Sequence, residues 1–438
     1  MTAEAQGARP PVLVMNPYYS GLGIARSLRG TGISVYALTS ERDVPGARSR
    51  HFEKVFRAPN GRDEPEALCQ FLVEKASGFR SPPVLFPTRD LDVIFLDRYH
   101  DALASDYLLP QPRGSPILRM MDKLELAGVA RKLQLPAPET AICETVADVE
   151  QACLRMPFPV IAKPRFAYQW RSGGLWEKVG AQKAFVSATP DELLRLYLRL
   201  APLTPEILLQ EYIPGEDTDI VVCCAYIGRD GEPKGYFTGR KLRQCPPLVG
   251  TGSVVEAREC SAIVAPSMAL LKSFGYSGIA EVEYKYHRAR GTYYLIEINP
   301  RHWDQHELGM LTGVNITWLA YADMIGLSQS PTFPAYDPTR SYLWVAEPEL
   351  AWDFGKIIAA EMTRPREAEP KRGRLAAIFA ACKEVRKLLD GRRIFAYASI
   401  SDPLPGLYSG WRMAKDAWRA SWNRVRRLRV ASRGATNG

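Results

Sequence analysis

Two neighbouring segments in which apolar and polar residues alternate, 278–284 and 294–301, constrain the fold of this chain more than any other feature. Each segment alternates as a β-strand does, so the pair predicts a β-hairpin. One face of that hairpin would carry four polar side chains, Glu281, Glu283, Glu297 and Asn299. Hard oxygen ligands on rigid strands suit a Mg²⁺ ion that bridges nucleotide phosphates. The alternative is an ordinary hairpin whose polar face is merely solvated.

The same residues resemble the metal-binding signature of the ATP-grasp superfamily, in which a Glu on one strand is followed by Glu-x-Asn-Pro-Arg on the next. Members of this superfamily activate a carboxylate as an acyl phosphate, which a nucleophile then attacks. The resemblance implies that Glu283, Glu297 and Asn299 hold Mg²⁺. It also implies that Arg301 contacts phosphate or the acyl phosphate, and it gives Glu281 no role. Within the superfamily, the chain is similar to carboxylate–amine ligases of the carbamoyl-phosphate synthase large-chain and D-aspartate ligase types.

Two lysines upstream stand where the superfamily places phosphate ligands. Lys123 opens a predicted helix, although a lysine on a helix is more often only solvated. Lys163 ends an apolar strand, where an unpaired ammonium would be costly to bury. The resemblance implies that both lysines contact the ATP phosphates and that the Gly/Ser-containing stretch 170–174 closes over them. Backbone N–H groups of such a loop can surround an anion.

A strand that runs into a polar turn, at 207–217, resembles the adenine-binding hinge of the superfamily. Its backbone can offer donors and acceptors to an adenine edge, and a nearby carboxylate can accept both ribose hydroxyls. The resemblance implies that ATP contacts Gln210, Glu211, Tyr212, Ile213 and either Glu216 or Asp217. The sequence does not separate the last two. A plain turn between two strands is compatible with the same role.

A cluster of cations lies between the hinge and the hairpin, at 240–243. Such a cluster can neutralise a triphosphate or clamp a carboxylate, or it can be a solvated strand edge. Its position favours the functional interpretation for Lys241 and Arg243, so we predict that Lys241 is catalytic; the resemblance implies the same for Arg301. His302 and His306 are spaced as metal ligands on a helix, but Mg²⁺ prefers oxygen. The remaining substrate candidates are Arg243, Trp303, Gln305 and His306.

The first part of the chain predicts a parallel sheet. Residues 11–38 read as strand, helix and strand, which is the βαβ unit of an open parallel sheet. The G-x-G sequence in this unit falls short of the dinucleotide fingerprint, so a tight turn is favoured over NAD binding. A further strand at 84–87 ends where such sheets place ligands, which makes Thr88 and Asp90 substrate candidates.

We predict three parts in the 438 residues. An open parallel α/β domain spans 1–115, a two-subdomain ATP-grasp fold of the α+β type spans 116–330, and a helical basic extension spans 331–438. The Pro/Gly-rich stretch 110–116 marks the first boundary. A hydrophobic share of 46% is enough for packed cores and excludes a disordered chain.

Most of the net charge of +9 lies in one C-terminal segment, where 411–433 holds eight Arg or Lys and one Asp, hence +7. Trp411, Trp418 and Trp422 recur there at a spacing that puts them on one face of a helix. That face either docks on the protein's own core, which is the commoner outcome, or lies on an anionic membrane. Nucleic acid is the weaker alternative, because no nucleic-acid-binding motif accompanies the basic residues.

The cysteines and the hydropathy pattern indicate where the protein works. Eight scattered cysteines without paired spacing favour a reducing compartment. Residues 1–9 lack the apolar core of a secretory signal, and no run of eighteen apolar residues occurs. We therefore expect a cytoplasmic protein, either free or peripheral at the inner face of the membrane.

The resemblance implies an ADP-forming ligase that uses ATP and Mg²⁺, with two metal ions and with Mn²⁺ as a substitute. Its partners would be a small-molecule carboxylate and an amine, without nucleic acid, and a homodimer stays open. One alternative is a carbamoyl-phosphate or carboxylase type of reaction. Another is a catalytically silent nucleotide-binding module recruited to a membrane-associated pathway. The intact set Glu283, Glu297 and Asn299 argues against a silent module.

Overall fold

The computed structural model describes residues 9–171, 174–247, 250–327, 337, 339–363, 379, 382, 383, 386 and 391–434. Within the helices, the side chains of 357–363, 420, 421 and 423–434 are not part of this description. The described residues form two four-stranded sheets and one seven-stranded sheet. This mixed α/β architecture confirms the predicted fold class.

The first sheet is parallel throughout, in the order β3-β2-β1-β4. Its strands are Val12–Met15 (β1), Val35–Thr39 (β2), Lys54–Arg57 (β3) and Val84–Phe86 (β4). Its helices are Tyr19–Ser27 (α1), Pro65–Ala76 (α2), Asp90–Arg98 (α3) and His100–Leu103 (α4). A Cβ on Gly21 would lie 2.0 Å from the Asn16 carbonyl oxygen, so this glycine allows the close turn into α1.

The second sheet is antiparallel, in the order β5-β8-β6-β7. Its strands are Thr140–Cys143 (β5), Val160–Lys163 (β6), Phe185–Ser187 (β7) and Ile207–Glu211 (β8). The helices around it are Ile117–Met121 (α5), Lys123–Lys132 (α6), Val146–Arg155 (α7), Leu175–Lys178 (α8) and Pro190–Leu200 (α9). Val160 and Ala162 pack into a core with α7 and α9, so the alternate residues of β6 face the other way.

The third sheet runs in the order β13-β12-β9-β10-β11-β14-β15 and is antiparallel except for its last pair. Its strands are Ile220–Ile227 (β9), Pro233–Cys245 (β10), Thr251–Ala257 (β11), Gly278–His287 (β12), Thr292–Asn299 (β13), Tyr342–Val345 (β14) and Arg392–Phe395 (β15). The remaining helices are Val264–Ser273 (α10), Ile316–Met324 (α11), Glu347–Thr363 (α12) and Pro403–Gly434 (α13). The predicted boundaries stay predictions, but two strands from beyond residue 330 complete this sheet.

The parallel sheet and the seven-stranded sheet share one hydrophobic core. Val14 and Leu22 belong to the same buried cluster as Tyr226 and Trp318. The Arg26 guanidinium donates to the carbonyl oxygens of 395–397 across this contact. The shared core brings the carboxyl ends of the parallel strands to the same cleft as the β12–β13 hairpin.

The strands β12 and β13 form the predicted hairpin. Glu283 lies opposite Glu297, and Glu281 lies opposite Asn299. Glu281 and Glu283 are only 3% and 7% exposed, whereas the alternate residue Val282 packs into a core on the other face. The polar face is therefore enclosed by protein, and the interpretation of a merely solvated face is wrong.

Candidate active site

A cleft of about 510 Å³ lies between the three sheets. The carboxyl ends of β1 and β4 form one wall, β6 and β8 form a second, and β10 with the β12–β13 hairpin forms a third. Fifteen of the predicted site residues line it together: Thr88, Asp90, Lys123, Lys163, Gln210, Glu211, Tyr212, Ile213, Lys241, Glu283, Glu297, Asn299, Arg301, Trp303 and Gln305. Residues far apart in the chain thus meet at one place.

The hairpin acids form a hydrogen-bonded group at the floor of the cleft. The Asn299 Nδ2 donates to Glu281 Oε1 at 3.1 Å and to Glu297 Oε1 at 3.4 Å. The Gln305 Nε2 donates to Glu281 Oε2 at 2.9 Å. Glu281, which the superfamily signature leaves without a role, therefore holds the amides of Asn299 and Gln305 in place.

Glu297 is the charge centre of the cleft. Burial opposes its ionisation, but the ammonium groups of four lysines outweigh burial and lower the pKa of Glu297 to about 2. These lysines are Lys123, Lys241, Lys163 and Lys183. In contrast, burial raises the pKa of Glu281 to about 8. The lysines outnumber the ionised carboxylates around them, so this end of the cleft suits a polyanion.

Lys241 is paired directly with one of the predicted metal ligands. Its Nζ lies 2.5 Å from Glu283 Oε2, and both side chains are buried. Burial disfavours the ammonium, but Glu283 and Glu281 more than compensate and raise the pKa of Lys241. The irregular register of β10 between Lys241 and Arg243 turns these two side chains to different surroundings.

Arg301 connects the hairpin to the parallel sheet. Its Nε lies 2.5 Å from Asp90 Oδ1, and its Nη2 donates to Asn299 Oδ1 at 3.3 Å. The ion pair with Asp90 outweighs burial and raises the pKa of Arg301. Thr88 also lines the cleft, and its hydroxyl bonds the Met15 carbonyl oxygen and Asp92. Asp90 thus positions Arg301, while Thr88 supports the turn before α3.

Lys163 stands on the cleft face of β6, as its place at the end of an apolar strand predicts. Its Nζ donates to Gln210 Oε1 at 2.6 Å, which links the predicted phosphate ligand to the predicted hinge. Burial, with the nearby ammonium of Lys123, lowers the pKa of Lys163 to about 7. Lys123 itself is buried and donates to the Arg165 carbonyl oxygen.

We predict that nucleotide affinity depends on pH through Lys163. Phosphate oxygens favour the ammonium form, so ADP binding should weaken above pH 7 as the free lysine loses its proton, by at most about tenfold per pH unit. Lys163→Arg keeps its positive charge over the whole pH range, so its ADP affinity should not fall with pH in this way. Calorimetric titration with ADP between pH 6 and 9 measures the ADP affinity of the parent and of Lys163→Arg. Equal slopes for the two would contradict the prediction.

The predicted ribose acids lie beside the cleft rather than on its lining. The Glu216 side chain is three-quarters exposed and lies 3.6 Å from Arg288. Asp217 accepts hydrogen bonds from the Gln244 backbone N–H and Nε2, both at 2.8 Å, and Gln244 does line the cleft. Asp217 is therefore linked to the cleft through Gln244.

Two predicted substrate residues also lie outside the lining. Arg243 points toward α12, where its Nε is 3.5 Å from Asp353 Oδ2. The buried His306 Nε2 donates to the Ser20 carbonyl oxygen at 3.0 Å, and burial lowers the pKa of His306 to about 4. Its ring also packs against His302, with centroids 4.7 Å apart. His306 thus serves the contact with α1, whereas His302 bonds the Thr317 hydroxyl and packs against Phe86 of β4.

Two residues that the sequence analysis missed belong to the cleft. Lys183, just before β7, donates to Thr251 Oγ1 at 2.7 Å, and burial together with Arg171 lowers the pKa of Lys183 to about 8. Asp304 lines the cleft and accepts a hydrogen bond from Ser20 at 2.8 Å. Lys163 ends an apolar strand, whereas Lys183 precedes one, so the signal that marks Lys163 does not mark Lys183.

The predicted phosphate loop is described only in part, since Ser172 and Gly173 lie outside the described residues. On either side of them, Arg171 and Trp176 line the cleft. Gly174 has a φ of +70°, a conformation that favours glycine. The Arg171 carbonyl oxygen accepts a hydrogen bond from Arg62 at 3.1 Å, so the parallel domain contacts this segment.

Comparison with known proteins agrees with this geometry. Residues 249–326 match the family model for the carbamoyl-phosphate synthase L chain, ATP binding domain. The chain is 24% identical to D-aspartate ligase of Enterococcus faecium over 294 residues, which are 65% of this chain and 69% of that enzyme.

Solved structures show the same fold. The ADP complex of N5-carboxyaminoimidazole ribonucleotide synthetase superposes with a TM-score of 0.60 at 15% identity, over 87% of this chain and 97% of that one. The biotin carboxylase domain of Hydrogenobacter thermophilus 2-oxoglutarate carboxylase was solved with MgADP and bicarbonate. It superposes with a TM-score of 0.57 at 17% identity, over 75% of this chain and 72% of that one. The chain therefore has the fold of ATP-grasp proteins, as predicted. The family model that it matches belongs to the carbamoyl-phosphate synthase large chain.

The donor set of the hairpin fits a hard cation that is shared with a nucleotide. Glu297 stays ionised at neutral pH, and Glu283 and the Asn299 oxygen add oxygen donors on neighbouring strands. In the described part of the chain, no three His, Cys, Asp or Glu residues form a metal cage of their own. Mg²⁺ commonly takes one or two carboxylates and completes its shell with water and substrate phosphates, so the set is sufficient.

Proposed function

We propose that this protein is an ADP-forming ligase that uses ATP and Mg²⁺. The reaction activates a carboxylate as an acyl phosphate and transfers the acyl group to an amine. The observation that supports it best is the convergence of four lysines, Lys241 among them, on Glu297, with Arg301 in the same cleft. These charges suit a triphosphate next to a carboxylate. The D-aspartate ligase to which the chain is similar supports a C–N bond-forming reaction.

In this proposal the protein acts by positioning and by neutralising charge. Lys123 and Lys163 hold the nucleotide phosphates, and the hinge 210–213 binds adenine. Arg301, oriented by Asp90 and Asn299, binds the carboxylate and then the acyl phosphate. Lys241 neutralises charge on the transferred phosphoryl group. Glu216 or Asp217 binds the ribose.

Glu283, Glu297 and Asn299 would hold the metal, which neutralises charge between the nucleotide phosphates. We propose two Mg²⁺ ions, with Mn²⁺ as a substitute. The partners in this proposal are a small-molecule carboxylate, an amine and a second copy of the chain in a homodimer. Peripheral contact of the protein with the inner face of a membrane belongs to the same proposal.

A carboxylase or carbamoyl-phosphate type of reaction is the second candidate, because residues 249–326 match the model of that synthase. Bicarbonate would then take the place of an organic carboxylate. A silent nucleotide-binding module is disfavoured by the complete set of lysines and acids, since such a module has no need of an ionised carboxylate among four ammonium groups.

ADP release in the presence of pooled amino acids, other carboxylates or bicarbonate tests the proposal. We expect at least one pool to stimulate ATP turnover, and hydroxylamine to trap the acyl phosphate as a hydroxamate. Stimulation by bicarbonate alone would favour the second candidate. If no pool raises ADP release above the level of Glu297→Gln or Glu297→Ala, the ligase proposal fails.

A further inference from the structure

The C-terminal helix α13 carries an apolar stripe that no described part of the chain covers. Five large side chains lie within roughly 60° of each other around the helix axis. They are Leu404, Leu407, Trp411, Trp418 and Trp422, and each is between 52% and 67% exposed. Large apolar side chains that line up in one exposed stripe mark an interaction surface rather than chance exposure.

An adjacent side of α13, where Tyr408 stacks on Trp411, holds the start of the helix on the parallel domain. Ser409 is buried, and Tyr408 donates to Asp43 Oδ1 at 2.9 Å. The Arg48 guanidinium lies 3.7 Å from the centre of the Tyr408 ring, and Arg412 donates to the Asp43 carbonyl oxygen. The root of the helix is therefore held on the parallel domain while the stripe faces outward. Within the described residues, the three tryptophans do not dock on the protein's own core.

The charge of this helix indicates what covers the stripe. Residues 411–433 carry a net charge of +7, and Lys415 lies 4.7 Å from the centre of the Trp411 ring. A second copy of the same face would oppose like charges. Nucleic acid would be bound by the basic residues and would leave Leu404 and Leu407 exposed. Tryptophan beside Arg and Lys is favoured where a lipid bilayer with anionic headgroups meets water.

We propose that α13 binds the surface of an anionic lipid bilayer, with its apolar stripe in the interface and its basic side chains at the headgroups. In the described part of the chain, no helix is long and apolar enough to span a bilayer. The start of α13 contacts Asp43, which is close in sequence to Ser40 and Glu41, and these two residues line the cleft. Docking would therefore hold the parallel-domain end of the cleft near the membrane.

Flotation of the full chain with vesicles tests this proposal. We expect binding to vesicles of phosphatidylcholine mixed with phosphatidylserine, and weak binding to phosphatidylcholine alone. In the triple variant Trp411→Ser, Trp418→Ser, Trp422→Ser, the fraction of protein bound to vesicles should fall at least about tenfold. Leu154→Ser with Leu198→Ser, which removes exposed apolar side chains elsewhere, is the matched control and should bind like the parent. Tryptophan emission should shift to shorter wavelength on binding.

Three results would overturn the proposal. Equal flotation of the parent and the triple variant would show that the stripe is not used. Equal binding to the two kinds of vesicle would remove the role of the anionic headgroups. A vesicle-free dimer that the triple variant abolishes would assign the stripe to a second copy. None of these results depends on ligase activity.

Discussion

Glu297→Gln is expected to lower the rate of ADP release by about 10²–10³-fold, the scale for removing one preorganised charged contact from an active site. The carboxylate is ionised at neutral pH because the lysines around it lower the pKa of Glu297 to about 2. The amide has nearly the same shape and keeps an oxygen, but it has no charge to share with a metal ion. The variant therefore loses metal-dependent catalysis.

Nucleotide binding separates this role from a structural one. Without Mg²⁺, Glu297→Gln should bind ADP at least as tightly as the parent, because an anion next to the phosphates has been removed. With Mg²⁺, the parent should gain affinity and the variant should not. Glu150→Gln, the same change at an exposed position on α7, should behave as the parent in both titrations. Equal Mg²⁺ dependence in the parent and Glu297→Gln would contradict the assignment of Glu297 as a metal ligand.

Lys241→Met is expected to cost about 3–5 kcal/mol of stability, because it leaves the buried Glu283 carboxylate without its counter-ion. The apolar side chain is of similar length, so the loss comes from charge rather than from a cavity. Thermal unfolding of the apo protein measures the effect. ADP release should fall as well, since Lys241 is proposed to act on the phosphoryl group.

The double variant Lys241→Met, Glu283→Gln distinguishes the loss of stability from the loss of activity. Its unfolding temperature should recover most of the way toward the parent, because neither buried group is then charged. Its activity should stay low, since a proposed metal ligand and a proposed catalytic lysine are both gone. If the double variant is no more stable than Lys241→Met, the pair does not act as an ion pair in the folded protein.

Local sequence patterns were enough for the strands that carry the site. Two-residue alternation predicts the hairpin of Glu283 and Glu297, and the same rule puts Lys163 on the face of β6 opposite its core. These predictions hold where the strands are regular, as in β6 and between Glu281 and Glu283 of β12, whereas a register shift opposite Tyr284 interrupts the alternation of β13 at Ile296. The N-terminal strand, helix and strand are likewise found where their apolar runs predict them.

Sequence proximity was misleading where the chain leaves regular strand geometry. The register shift in β10 sends Arg243 to Asp353, away from Lys241 and the cleft. His306 follows β13 closely in sequence, and β13 carries predicted metal ligands. Its side chain nevertheless bonds Ser20 of α1 and does not line the cleft. Neither partner is near in sequence, so no local pattern reveals the contact.

The sequence by itself determined the resemblance to the ATP-grasp superfamily, the acid face of the hairpin and many of the charged residues that line the cleft, because these depend on short motifs and on the alternation of strand residues. Only the tertiary structure decided which charges meet. The strand order of the seven-stranded sheet brings Lys241 to Glu283, whereas packing of separate parts of the fold brings Asp90 to Arg301 and brings Lys123, Lys163 and Lys183 to Glu297. Packing also decided that the stripe on α13 faces outward, because the docking side of that helix is set by Asp43 and Arg48 in the parallel domain.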